Sequence, residues 1–202
     1  MFPQDERVLL VKKKVDAILR AQQDRALRRR GEKRLYQVSM MAAILAVPRH
    51  VDVGLAGLAG MLHDIATYET GDAQHSAQRS AVRARQLLSD LGVYSADEIA
   101  VVSEAIAVHD LTDRVDSPLA ELLKDVILLQ RYLEQPFEPE DEYIEVRLIR
   151  LADEFGLAIP DIEQEYALPD TEPMEEVSLA KKQEQELLRM LLMVILQEWT
   201  RE

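Results

Sequence analysis

Apolar residues recur at helical spacing along almost the whole chain. Val8, Val11, Val15, Ile18 and Leu19 fall on one face of a first predicted helix, from about Asp5 to Arg30, because residues three and four apart share a side of an α-helix. A second helix is predicted from Glu32 to Val47, stopping before Pro48, and a third from Val51 to Ala66. The third is apolar nearly all round and carries Gly54, Gly57 and Gly60 at three-residue spacing. A helix with no polar face belongs in a core, and glycines on it let a neighbouring helix approach closely. Further helices are predicted from Gln74 to Leu91, stopping at Gly92, and from Ser95, which with Glu98 makes a capping box, to His109. Asp116-Ser117-Pro118 opens the next, which ends before Pro136, and Pro139 starts another that ends at Gly156. No segment alternates as a strand would, so the predicted fold class is all-α.

The pattern changes after Pro160. Residues 161–176 form an acidic, proline-containing connector, and a last helix is predicted over 177–202, from about Val177 to Trp199. Nine of the ten residues from Leu187 to Leu196 are apolar. That run is shorter than the roughly 20 residues a membrane span needs, and too uniformly apolar to lie alone on a surface. It either threads between other helices or buries itself against a second copy of the chain, and the pattern leaves both open. The organisation read from the sequence is a helical domain over 1–160, the connector, and an added C-terminal helix.

Charge narrows the partners. The 24 basic and 37 acidic residues give a net charge of −13, which argues against nucleic acid and anionic membrane surfaces. The excess is uneven: Leu151 to Ala180 holds no Lys or Arg against nine Asp and Glu. The rest is only mildly acidic and can still hold an anionic substrate. With no cysteine there is neither a disulfide framework nor a thiolate metal site. The early acids and missing apolar stretch of the N-terminus exclude a secretory signal there, and a cytoplasmic location is expected.

Three of the four histidines fall where chemistry is plausible. His63-Asp64 closes the buried third helix, His75 begins the next, and His109 ends a helix of apolar periodicity through Ile99, Val102 and Ile106. Taken alone, His63-Asp64 also reads as a helix C-terminus whose imidazole caps backbone carbonyls. Taken together, side chains from three helix ends can converge on one pocket. Imidazole plus carboxylate, without thiolate, suits Fe, Mn, Zn or Ni. His50, after Pro48-Arg49, reads as a solvated connector residue, and the basic stretch Arg25 to Arg34 as a solvated helix segment or a lining for phosphates.

The blocks Leu58-Ala59-Gly60-Met61-Leu62-His63-Asp64-Ile65-Ala66, His75-Ser76-Ala77-Gln78-Arg79-Ser80-Ala81, Ala105-Ile106-Ala107-Val108-His109 and Leu122-Leu123-Lys124-Asp125-Val126-Ile127-Leu128-Leu129-Gln130 occur in that order. The chain in this region, roughly residues 30–157, resembles the HD superfamily of metal-dependent phosphohydrolases. That resemblance implies an HD-domain-like helical bundle and a divalent metal ion held by His63, Asp64, His75 and His109, with Asp110 as a further candidate. Two departures stand out. The family's first ligand histidine falls on Arg34, whose guanidinium is permanently charged and cannot coordinate a metal. The closing ligand aspartate falls on Ile127, which has no donor atom, while Asp125 lies nearly opposite on the helix. The reduced set implies one ion rather than two, with Asp64 catalytic and Arg34 able to grip a phosphate as a bidentate donor. The function implied is hydrolysis of a nucleotide or other small phosphoester. The alternative is a catalytically silent HD-fold sensor or interaction module.

Overall fold

The computed structural model describes residues 6–111, 114–137, 142–155, 183 and 185–191. Among the described residues there are eight helices and no strand: α1 (Glu6–Ala21), α2 (Arg25–Ala46), α3 (Val53–Leu62), α4 (Ile65–Thr70), α5 (Ser76–Leu91), α6 (Ala96–Val108), α7 (Pro118–Glu134) and α8 (Glu142–Phe155). The chain divides into two compact units, residues 1–130 and 131–202.

The first joint lies earlier than the pattern suggests. The chain breaks at Gln22–Asp24, not near Gly31, because Asp24 caps α2: its carboxylate accepts from the backbone N–H of Ala26 (2.8 Å) and Leu27 (3.1 Å). Gly31 lies inside α2 for a packing reason. A Cβ there would come within 2.8 Å of the Leu19 and Tyr68 side chains, so α1 and α4 approach α2 only over a bare backbone. The glycine stripe on α3 serves the same end. At Gly60 a Cβ would meet the backbone of Val38 and Ser39 at 2.7 Å, and Ser39 donates its hydroxyl to the Gly57 carbonyl at 2.8 Å. The α2–α3 pair is thereby locked at backbone distance in the core of the first unit.

The predicted third helix is interrupted. After Leu62 the chain turns through His63 and Asp64 before α4 resumes the helical path. The later joints fall close to their predicted places. Gly92 closes α5 in the left-handed region (φ +65°). At α6 both bonds of the Ser95–Glu98 capping box are present. Lys124, inside α7, is almost fully buried and donates to Asp116 (2.8 Å), Glu121 (2.9 Å) and the Arg114 carbonyl (3.0 Å), which pins the approach to α7.

In the second unit α8 buries Leu148, Leu151 and Phe155. Gln185, in a helical stretch, donates to the Asp153 carbonyl at 2.8 Å. Leu188 is buried, whereas Leu187 and Met190 are exposed. Residues 161–176 and the last helix beyond 183 and 185–191 lie outside the described residues, as do Pro139 and Gly156. Among the described residues no helix is long and apolar enough to cross a membrane.

Candidate functional site

His63 is the C-cap of α3, and its ring folds back so that Nδ1–H donates to the Gly60 carbonyl at 2.7 Å. His109 repeats the arrangement at the end of α6, with Nδ1–H donating to the Ile106 carbonyl at 2.8 Å. Each imidazole thus satisfies a helix-terminal carbonyl, as the capping reading expects. The same bond places a proton on Nδ1 of each ring. The two rings meet edge to face, their centroids 5.6 Å apart. His63 is fully buried, and its Nε2 has no hydrogen-bond partner. Burial, reinforced by the neighbouring His63, pushes the His109 imidazole below its ordinary value.

Asp64 occupies the N-cap position of α4 but does not cap it. Asp24 and Asp52 each spend a carboxylate oxygen on the helix they precede. At α4 that duty passes to Ser80 of α5, a buried residue whose hydroxyl accepts from the Ala66 backbone N–H at 3.1 Å. Asp64 is free to take side-chain partners instead. Its Oδ1 accepts from the Ser76 hydroxyl at 2.6 Å. Ser76 has spent its only proton, so the Thr67 hydroxyl, 2.6 Å away, must donate to it. Asp64 Oδ2 lies 3.4 Å from His63 Nε2 and 3.3 Å from Arg34 Nε. Burial alone would raise the Asp64 carboxyl, but His63, the Ser76 hydroxyl and Arg34 together hold it well below the usual carboxylate range. It is an anion at any physiological pH.

The structure therefore brings together four of the six candidate residues: Arg34, His63, Asp64 and His109. The other two are exposed: His75 stands in the left-handed region (φ 50°), and Asp110 beyond the end of α6. Asp125 is buried on α7, where Arg49 Nη1 holds it at 2.6 Å. Among the described residues no group of three or more His, Asp or Glu side chains comes close enough to hold a metal ion. An orphaned Nε2 on His63 is a competent donor, but both Asp64 oxygens are engaged and a guanidinium stands at one of them. As placed, the donor set does not fit a metal centre. Sequence reasoning assigned no role to Thr67, Ser76, Ser80 or Arg49. Each acts over a separation that no local motif marks.

No curated protein and no solved structure matches the chain. The family model for the HD domain matches residues 33–156, which is more than half of the chain and includes every candidate residue. HD domains are all-α, and their superfamily is one of metal-dependent phosphohydrolases that generally bind divalent ions. With the helical order, the turn at His63-Asp64 and this match in agreement, the chain belongs to the HD-domain family.

Proposed function

We propose that this chain is a catalytically silent HD-fold module that binds a small phosphorylated molecule in the pocket around Arg34, His63, Asp64 and His109. The observation that carries the reading is the Arg34–Asp64 ion pair, 3.3 Å, beside His63. A guanidinium can neutralise a carboxylate and donate to a phosphate oxygen, which are two of the tasks of a metal ion. It cannot lower the pKa of a bound water, which is the task hydrolysis needs. Arg34 keeps about a third of its side chain exposed (30%), which leaves it accessible to an anion.

A second reading, an active HD-type phosphohydrolase, is favoured by one specific feature. His63 Nε2 is buried without a hydrogen-bond partner beside His109, and both rings donate from Nδ1 to a backbone carbonyl. In that reading Asp64 is the catalytic carboxylate and one divalent ion (Fe, Mn, Zn or Ni) is shared by His63, Asp64 and His109. His75 and Asp110 would join only after a rearrangement. The exposed Leu187 and Met190 support a further part of the proposal, a surface through which the last helix meets a second copy.

The deciding experiment titrates nucleoside mono- and diphosphates and pyrophosphate into chelator-treated protein by calorimetry, then assays the same compounds for phosphate release with added Mn²⁺. Saturable binding without metal, weakened about tenfold in Arg34→Gln and accompanied by no turnover, supports the silent reading. Turnover abolished in His109→Ala would establish the hydrolase instead. Absence of binding by every phosphorylated compound would sink both.

A further inference from the structure

Asp64 poses a physical problem that its surroundings answer. Its side chain is only 17% exposed, and an ionised carboxylate removed from water is costly unless a cation or several donors face it. Ser76 supplies one donor, and Arg34 supplies the charge. Among the described residues Asp64 is the only ion-pair partner of Arg34. The contact is electrostatic rather than directional: Arg34 Nε is buried with no hydrogen-bond partner of its own. The guanidinium is thus held near the carboxylate in the way a counter-ion is, with its hydrogen-bonding capacity unspent.

The two positions at which the chain departs from the HD pattern can be compared by charge. A neutral imidazole replaced by Arg34 adds one positive charge. A carboxylate replaced by Ile127 removes one negative charge. Together they supply the two charges that a divalent ion would have brought. Of the two, Arg34 is the one that the structure sets against Asp64, 3.3 Å from the carboxylate. Asp125 cannot stand in for the lost carboxylate, because Arg49 holds it in a separate ion pair.

We infer that the Arg34 guanidinium, lodged against Asp64 beside His63, is a built-in cation that replaces a divalent metal ion, so that this pocket is charge-balanced and structurally complete without metal. The inference uses Asp64 and His63 as the centre of the pocket but does not depend on the phosphorylated ligand proposed above. Its test employs metal alone, so the two stand or fall separately.

The full chain, stripped with EDTA, is melted and titrated calorimetrically with MnCl₂, in parallel with Arg34→His/Ile127→Asp and with Arg34→Lys. The wild type should show the same melting temperature with EDTA and with millimolar Mn²⁺. Arg34→Lys, which keeps the charge, should share that indifference. The Arg34→His/Ile127→Asp protein should melt lower in EDTA, recover with Mn²⁺, and bind the ion on the order of tenfold or more tighter than the wild type. Stoichiometric Mn²⁺ binding by the wild type, lost in Asp64→Asn, would overturn the inference. So would a double variant as stable in EDTA as the wild type and equally blind to Mn²⁺. If the double variant fails to fold, the cycle of Arg34→Gln, Asp64→Asn and their combination decides the matter. Losses smaller in combination than in sum show that Arg34 serves Asp64, and additive losses show that it does not.

Discussion

Single side chains at this site have exchanged their ordinary duties. Asp64 stands where an aspartate normally caps a helix, yet the cap on α4 comes from Ser80, fourteen residues beyond the Ala66 N–H that it accepts from, and on another helix. Ser80→Ala should therefore destabilise the protein by about 1–3 kcal/mol, the cost of a buried donor left without its acceptor. Urea denaturation would read the loss, and a full-length protein as stable as the wild type would refute the transferred cap. Legibility at this scale followed the range of the interaction. His63-Asp64, His109 and the Ser95–Glu98 box announce themselves by residue type at short spacing. Ser76, Thr67 and Ser80 do not, because hydroxyls are common and only the packing of α5 against the turn gives these ones a role. Arg34 was legible as a departure from a pattern, and its position beside Asp64 is what the structure adds.

At the scale of elements, the joints at Gly92 and at the Ser95–Glu98 capping box were readable, whereas the Asp24-capped start of α2, the Gly71 end of α4 and the joints decided by packing were not. Gly31 looked like a break, but the α2 helix runs through it because Leu19 and Tyr68 fill the space where its side chain would be. On α3, two glycines of similar appearance should respond in opposite ways. Gly60→Ala places a methyl 2.7 Å from the backbone of α2 and should cost about 1–3 kcal/mol through overpacking. At Gly57 the nearest atom is 3.7 Å away, so alanine fits and should gain up to about 1 kcal/mol from helix propensity. The order of melting temperatures should be Gly57→Ala, wild type, Gly60→Ala, and a Gly60→Ala protein matching the wild type would mean the helices are not at backbone distance. The buried ammonium of Lys124 makes a pH-dependent prediction for the start of α7. Its hydrogen bond to Asp116 holds that carboxyl below the ordinary value. A carboxyl lowered on folding contributes stability above its unfolded pKa, about 4, and loses it as pH falls further. Lys124→Met should melt several degrees lower at neutral pH, and its deficit should shrink below about pH 4. A deficit that stays constant through that range would show that Lys124 acts through packing alone.

The whole molecule is asymmetric in charge. Residues 1–130 carry 17 basic and 18 acidic residues, and residues 131–202 carry 7 and 19. The unit that holds the candidate pocket is therefore nearly neutral, and the acidity that argues against nucleic acid belongs almost wholly to the other. That partition bears on self-association. The apolar run Leu187 to Leu196 offers burial to a second copy, but it lies in a segment whose excess negative charge would repel the same segment of its partner. Salt screens that repulsion over a distance of about 10 Å at 0.1 M and leaves apolar burial intact. If Leu187 and Met190, both exposed, face a second copy, the mass measured by light scattering should rise toward that of an oligomer as NaCl is increased. The Leu187→Glu/Met190→Glu protein should remain a monomer throughout, since the substitutions add charge to the surface that must be buried. A wild-type chain that is monomeric at every salt concentration would instead mean that the apolar run packs within its own chain. In that case the double variant should lose thermal stability without any change in mass.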